Sequence, residues 1–191
     1  MSSDELTLFS YELLGLVGRD GAGPHDLRQM VHRGRILDWA GESRYYVEPR
    51  RLAKLGYLEA HKEPGKTRER TVYTLTDKGL DALREYARTP VALQPFKSDA
   101  LQRLLICDLV GEPVTRESIG TLRADIAELE SLLDEAQLSA EALPHRRKYL
   151  LLVNQFLRRL LELHLELVEQ VEQELDDDTG ADPADPTRGP T

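Results

Sequence analysis

The stretch from residue 42 to residue 76 constrains the fold more than any other part of the chain. It begins with the basic segment ESRYYVEPRRLAKLG, which is followed by a strand-like run, a charged Pro-Gly turn and a second strand-like run. Strand-like runs on either side of a short Pro-Gly segment predict a β-hairpin. A helix followed by a charged hairpin is the plan of a winged helix-turn-helix, whose helix enters the major groove while the hairpin lies along the phosphates.

The charge of this stretch differs from that of the rest of the chain. Between Glu42 and Arg70 there are eight Lys or Arg and five Glu, a net charge of +3, whereas all 191 residues carry a formal charge of −9. Residues 1–88 hold 15 basic and 14 acidic side chains, and residues 89–191 hold 10 and 20. Because nucleic acid responds to the local field, the overall acidity does not exclude DNA binding. The acidic half is expected to bind a different partner, namely another copy of the chain.

The composition indicates a soluble protein from a reducing compartment. The single cysteine, Cys107, excludes an internal disulfide framework. No apolar run is long enough to span a membrane, and none near the N-terminus resembles a signal peptide. We therefore expect a cytoplasmic protein that has no membrane partner.

Helical and strand-like patterns predict two domains joined by a linker. Three helices, two strands and a fourth helix capped by Thr76 predict a winged helix-turn-helix DNA-binding domain over residues 1–89. Residues 90–97 contain two prolines and form the linker, and residues 98–175 are predicted to be an all-helical dimerisation domain. The predicted fold class is mostly α with a small β-hairpin wing. Residues 176–191 are acidic and rich in Pro and Gly, so we expect a disordered tail that either aids solubility or mimics DNA.

The helical domain is predicted to hold three helices. Ser98 caps the first, which reaches Leu109, Thr115 caps the second, and the third runs from Arg146 to about Leu175. One apolar seam of the third helix is too long for this domain to cover alone, so it is expected to form a homodimer interface. The predicted interface residues are Val153, Phe156, Leu157, Leu160, His164, Leu167 and Val171.

Candidate DNA contacts come from the third helix of the first domain and from the hairpin. Helical spacing places Leu52 in the core and Arg44 and Tyr45 on the opposite side, at the helix N-terminus, where base edges are contacted. Tyr46 is expected to anchor the core, with its hydroxyl near a phosphate. Basic hairpin residues suit phosphate or minor-groove contacts, and the alternative for the whole set is a solvated basic face. The predicted set is Ser43, Arg44, Tyr45, Tyr46, Arg50, Arg51, Lys54, Lys62, Lys66, Arg68 and Arg70.

Catalytic and metal-binding patterns are not found in the sequence. It has no G-x-S-x-G segment, and its five histidines lack metal-like spacing. Residues 60–67 fit a relaxed P-loop pattern, but a P-loop must open a helix and these residues lead into a strand. We therefore expect neither an enzyme nor a bound cofactor or metal.

Together, these residues resemble the PadR family of bacterial transcriptional regulators over about residues 6–175. The resemblance is carried by Tyr46, Pro49, Leu52 and Gly56 in the recognition helix, and by the runs GKTR at 65–68 and VYTLTDKG at 72–79 in the wing and its exit. Two positions depart from the family. His25 stands where a tyrosine is usual, and Pro49 stands where an aliphatic residue is common.

The resemblance implies a homodimeric repressor that binds a double-stranded DNA operator, which we expect to be palindromic. It also implies release of DNA when a small aromatic or amphipathic effector binds near the subunit interface. Trp39 and Phe96 are candidates for the wall of an effector pocket, with core packing as the alternative. The alternative function is a winged-helix adaptor that binds another protein and has no operator of its own.

Overall fold

The computed structural model describes residues 5–32, 41–64, 69–93 and 96–175. The chain divides into two compact units, Met1–Leu93 and Gln94–Thr191. The predicted fold class is confirmed, since the structure is mostly helical and its sheet is a single antiparallel hairpin.

The first unit holds three helices, the hairpin and a fourth helix, in the predicted order. Its elements are α1 Leu8–Val17, α2 Pro24–His32, α3 Arg44–Lys54, β1 Leu58–Glu63, β2 Arg70–Leu75 and α4 Asp77–Tyr86. The two strands pair with Leu58 opposite Leu75 and Glu63 opposite Arg70. Ala22 forms a further antiparallel bridge with Tyr73, so the segment between α1 and α2 lies along the edge of the hairpin. This arrangement is that of a winged helix-turn-helix.

Local signals end or begin several of these helices. Thr76 caps α4, since its side chain accepts a hydrogen bond from the Gly79 N–H at 3.1 Å, as predicted. Gly56 follows α3 with φ +80°, a conformation that suits glycine and turns the chain into β1. Ser43 precedes α3 but does not cap it, because its backbone is already helical and its side chain makes no capping hydrogen bond.

One core fixes the position of α3 in the first unit. The buried cluster joins all its elements except α4, and its members are Phe9, Leu13, Leu14, Val17, Ala22, Leu27, Val31, Tyr45, Leu52, Leu58 and Tyr73. Leu83 of α4 packs against this cluster. Pro49 lies inside α3 and is also buried, and the helix continues through it although proline lacks the N–H for one helical hydrogen bond.

The second unit is all helical in its described residues. Its elements are α5 Asp99–Leu105, α6 Cys107–Val110, α7 Glu112–Gly120, α8 Leu122–Glu141 and α9 Arg147–Glu174. The predicted cap at Ser98 is confirmed, because its hydroxyl accepts a hydrogen bond from the Leu101 N–H at 3.3 Å. The break between α8 and α9 falls at Leu143 and Pro144.

Two predicted helix boundaries in this unit are wrong. The helix expected to reach Leu109 ends at Leu105 and restarts as α6. Thr115 does not cap a helix, because α7 already begins at Glu112, with Pro113 in its first turn, where proline fits well. Thr115 is buried within α7 and its hydroxyl donates to the Gly111 carbonyl oxygen at 3.0 Å.

Packing of α7 and α8 against α9 forms the interior of the second unit. Ala100, Ile119, Val168 and Val171 form one buried cluster. Further along α9, Asn154 is buried and its side-chain amide donates to the Leu133 carbonyl oxygen of α8 at 2.7 Å. The hydrogen bond satisfies a polar group that would otherwise cost free energy in the interior.

Candidate nucleic-acid interface

The helix α3 has one buried stripe and one exposed stripe. Tyr45, Pro49 and Leu52 are buried, at the spacing i, i+4 and i+7. Arg44 is exposed at the edge of the buried stripe, and the other exposed residues recur every three or four positions, which places them on one side of the helix. We call them the exposed face of α3, and they are Ser43, Tyr46, Val47, Arg50 and Lys54.

The two adjacent tyrosines of α3 have the opposite roles from those predicted. Tyr45 is 1% exposed, and its ring meets Phe9 edge to face with ring centroids 5.2 Å apart. Tyr46 is 36% exposed. The prediction of Tyr45 as a DNA contact is wrong, because a fully buried ring cannot reach a base edge. The sequence could have indicated this through Pro49. If this proline is counted as an apolar residue, the helical spacing places Tyr45 on the core face with Pro49 and Leu52.

Arg44 and Arg51 are held by the first unit itself. The Arg44 guanidinium lies over the Phe9 ring, 4.2 Å from its centroid, which is a cation–π geometry. Arg51 donates to both carboxylate oxygens of Glu48, at 2.7 and 2.9 Å, and to the Ser10 hydroxyl oxygen at 3.1 Å. The structure therefore places these two arginines against α1, at the border of the exposed face.

Glu48 joins α1 and α3 through this network. The Ser10 hydroxyl donates to Glu48 Oε1 at 2.7 Å, and Ser10 is fully buried. Burial raises the pKa of Glu48, but hydrogen bonds from Arg51 and Ser10 and the charges of Arg51 and Arg44 outweigh it and hold the pKa below its ordinary value. Glu48 is therefore ionised at neutral pH, and its charge is offset within the domain.

The hairpin carries an exposed lysine and an arginine whose ion pairs hold the hairpin in place. Lys62 is exposed on β1, and its ammonium donates to the Thr71 hydroxyl oxygen at 3.2 Å. Arg70 pairs with Glu63 at 3.2 Å and with Asp26 of α2 at 3.3 Å. Arg70 therefore links the hairpin to the start of α2, while Lys62 remains at the surface.

Several predicted functional residues lie outside the described part of the chain. They are Lys66 and Arg68 in the hairpin turn, Trp39 between α2 and α3, and the predicted tail at residues 176–191.

The predicted dimer seam of α9 is divided between two faces. Leu157 and Val171 are buried within their own unit, so the prediction that they require a second subunit is wrong. Leu160, His164 and Leu167 are half-buried at the border. The large exposed side chains form a separate row that we call the α9 stripe, made of Tyr149, Leu152, Val153, Phe156 and Leu163. Apolar spacing alone did not distinguish the two faces.

A depression of about 590 Å³ lies in the second unit. Its lining includes the cationic side chains of Lys97 and Arg103, the carboxylates of Asp99 and Asp125, and His164. The predicted effector residue Phe96 lies beside it, with its exposed ring 6.2 Å from the His164 ring between centroids. The depression is open and is lined by both polar and apolar side chains, which suits a small amphipathic molecule.

Two further classes of feature were sought in the described residues. None of their helices combines the length and the apolar character needed to cross a membrane. In the same residues, no three side chains of His, Cys, Asp or Glu are grouped so that they could hold a metal ion.

Comparison with known proteins identifies the fold. No protein-family model and no curated protein matches the chain. Among solved structures, Bacillus subtilis PadR in complex with operator DNA matches with a TM-score of 0.67 and 17% identity, covering 89% of this chain and 100% of that one. The PadR-like transcriptional regulator BC1756 from Bacillus cereus matches with a TM-score of 0.67 and 18% identity, covering 90% and 99%. Bacillus subtilis PadR in complex with p-coumaric acid matches with a TM-score of 0.53 and 22% identity, covering 87% of this chain and 96% of that one.

The fold defines the class of this protein as a winged helix-turn-helix with a helical second unit. More narrowly, it is the fold of PadR and PadR-like transcriptional regulators, so the resemblance predicted from the sequence is confirmed at the level of the fold.

Proposed function

We propose that the chain is a sequence-specific DNA-binding transcriptional regulator. The exposed face of α3 carries this proposal, because it presents Arg50 and Lys54 beside Tyr46. The acidic Glu48 is turned inward, and its negative charge is offset by Arg51. Basic and aromatic side chains on one face of a recognition helix are suited to phosphates and base edges. The fold is shared with transcriptional regulators, one of which was crystallised with operator DNA.

We assign different contacts to the helix and the hairpin. The exposed face of α3 reads base edges, with Ser43 at the helix N-terminus. Lys62 contacts phosphate, together with Lys66 and Arg68, which the sequence places in the hairpin turn. Arg44, Arg51 and Arg70 support these elements, because Arg44 lies over the Phe9 ring and the other two are paired with carboxylates of the first unit.

We propose that the protein acts as a homodimer joined through the α9 stripe. Five large apolar side chains exposed along one helix form a surface that water does not stabilise, and such patches mark protein interfaces. A twofold dimer presents two copies of α3 to the DNA, so its operator is palindromic.

We further propose that the regulator acts in the cytoplasm as a repressor that a small effector releases. A structural neighbour was crystallised with p-coumaric acid, an aromatic carboxylic acid. In this chain, Phe96 provides an aromatic wall beside the depression and Lys97 a cation for a carboxylate, while Arg103 is paired with Asp99 at 2.8 Å. The effector favours a spacing of the two recognition helices that does not fit the operator.

Selection from a pool of random DNA duplexes tests this function. Full-length protein should enrich a palindromic sequence, and affinity for it should fall steeply with salt as counterions are released. The Arg50→Glu variant should lose binding. A matched control is Arg84→Glu on α4, an exposed arginine paired with Asp81, which should keep it. A protein that enriches no sequence and instead retains a protein partner would support the adaptor function and overturn the proposal.

A further inference from the structure

Val47 is exposed in the part of α3 that meets base edges in recognition helices. It is 63% exposed and is the fourth residue of the helix. Single exposed apolar residues are ordinary on protein surfaces, and a β-branched side chain slightly disfavours a helix. The side chain therefore contributes little to folding, and its position on the helix is what points to a role in binding.

The neighbours of Val47 on the exposed face are polar or amphipathic. Among the five residues of that face, all of them described, Val47 is the only aliphatic one. Tyr46 precedes it, and Arg50 follows one turn later on the same side. The valine methyl groups are thus flanked by side chains suited to a polyanion. These neighbours favour DNA rather than protein as the partner in an apolar contact of Val47.

We propose that Val47 contacts the 5-methyl group of a thymine in the major groove and thereby selects a T·A base pair. This inference rests on the proposed function and deepens it. Thymine alone carries a methyl group on the major-groove edge, and a short aliphatic side chain is complementary to it. Arg50 lies about 4.5 Å further along the helix axis, and base pairs are about 3.4 Å apart. The thymine therefore lies within about two base pairs of any guanine that Arg50 contacts.

Replacement of thymine by deoxyuridine tests the contact directly, because uracil lacks only the methyl group. Each thymine in one half of the selected operator is replaced singly, and affinity is measured with wild-type protein and with Val47→Ala. At one of these thymines, replacement by uracil should lower the affinity of the wild-type protein about fourfold. This is the factor expected for one buried methyl-sized group. Val47→Ala should bind the thymine operator about fourfold more weakly than wild type and show no further loss with uracil at that position.

The control variant is Val114→Ala on α7, which removes an equally exposed valine from the second unit. It should retain the full sensitivity to uracil. Wild type that tolerates uracil at every position overturns the inference while the proposed function stands, as does a Val47→Ala variant that remains sensitive at the same thymine. A wild-type protein that enriches no operator overturns the proposed function and the inference together.

Discussion

The helices α3 and α9 are both two-faced, but their exposed faces differ in chemistry. Each helix buries one stripe within its own unit, namely Tyr45, Pro49 and Leu52 in α3 and Leu157, Leu161 and Val168 in α9. The exposed face of α3 mixes basic and aromatic side chains with one valine. The α9 stripe, by contrast, is made only of apolar and aromatic side chains.

This difference separates two kinds of binding. A basic face gains free energy from a polyanion, because counterions are released from the nucleic acid. An apolar stripe gains about 25 cal/mol for each Å² that it removes from water, so it is suited to another apolar surface. The proposed DNA binding and the proposed self-association therefore use different helices of different units, and substitutions in one helix should leave the function of the other unchanged.

The largest expected effect compares the two adjacent tyrosines of α3. Tyr45→Ala should destabilise the first unit by about 3–5 kcal/mol, because it removes a large aromatic ring from the core. Tyr46→Ala should change stability by less than about 0.5 kcal/mol, since its side chain is at the surface. Urea unfolding followed by far-UV circular dichroism measures the difference. Equal destabilisation by both variants would contradict the two-faced description of α3.

The next effect concerns the α9 stripe. Phe156→Asp should weaken the proposed dimer by about 2 kcal/mol or more, roughly thirtyfold, because it places a charge among apolar side chains that the dimer would bury. Sedimentation velocity at micromolar concentrations measures this as a shift from dimer to monomer. Gln155→Asp is the control, since it adds the same charge at an exposed position beside the stripe and should leave the dimer intact. Wild-type protein that sediments as a monomer would contradict the proposal that a second copy of the chain covers the α9 stripe.

A third prediction separates the contacts of the helix from those of the hairpin. Arg50→Ala should reduce discrimination between operator and other DNA by about 1–3 kcal/mol, the range for a bidentate base contact. Lys62→Ala should weaken binding to all DNA alike and reduce the salt-dependence slope by about one unit. Both should remain dimeric. Operator preference that is unchanged in Arg50→Ala would show that base reading does not come from this part of α3.

The smallest effect is the pH dependence of Glu48. Its pKa in the folded protein lies below the ordinary value of 4.5, so the unfolded chain binds more protons. The stability that this carboxylate contributes is present above pH 4.5 and is lost as the pH falls through its lowered pKa. Urea unfolding of Glu48→Gln should therefore show a flatter dependence on pH in that acidic range than wild type. An unchanged profile would assign the acid sensitivity to other carboxylates.

The sequence predicted the fold well where local signals set it. The order of helices and strands, the cap at Thr76, the stop at Gly56 and the break at Leu143 and Pro144 all follow from residue types that act over a few positions. The break between α5 and α6 at Ile106 has no glycine or proline to signal it. Such a break depends on tertiary packing, and the residue types near Ile106 do not predict it.

The candidate site was predicted less completely, because it depends on distant contacts. The bond from Ser10 to Glu48 joins residues 38 positions apart, and that from Arg51 to Ser10 spans 41. No periodicity within α3 reveals that Arg51 points toward α1. The phase of α3 was similarly missed, because the burial of Pro49 within the helix is not evident from the spacing of the aliphatic residues. Basic composition indicated α3 as the candidate helix, and tertiary packing decided which of its residues face outward.

The separation of the two faces of α3 has an evolutionary consequence. Exposed positions far from special features usually change stability by less than about 0.5 kcal/mol when substituted. Tyr46, Val47 and Arg50 can therefore be replaced without repacking the core that Tyr45, Pro49 and Leu52 form. With α3 reading DNA as proposed, a descendant that arises by gene duplication can acquire a new operator in a few substitutions while it keeps the same folded domain. A helix built in this way lets a lineage of regulators diversify in specificity at constant stability.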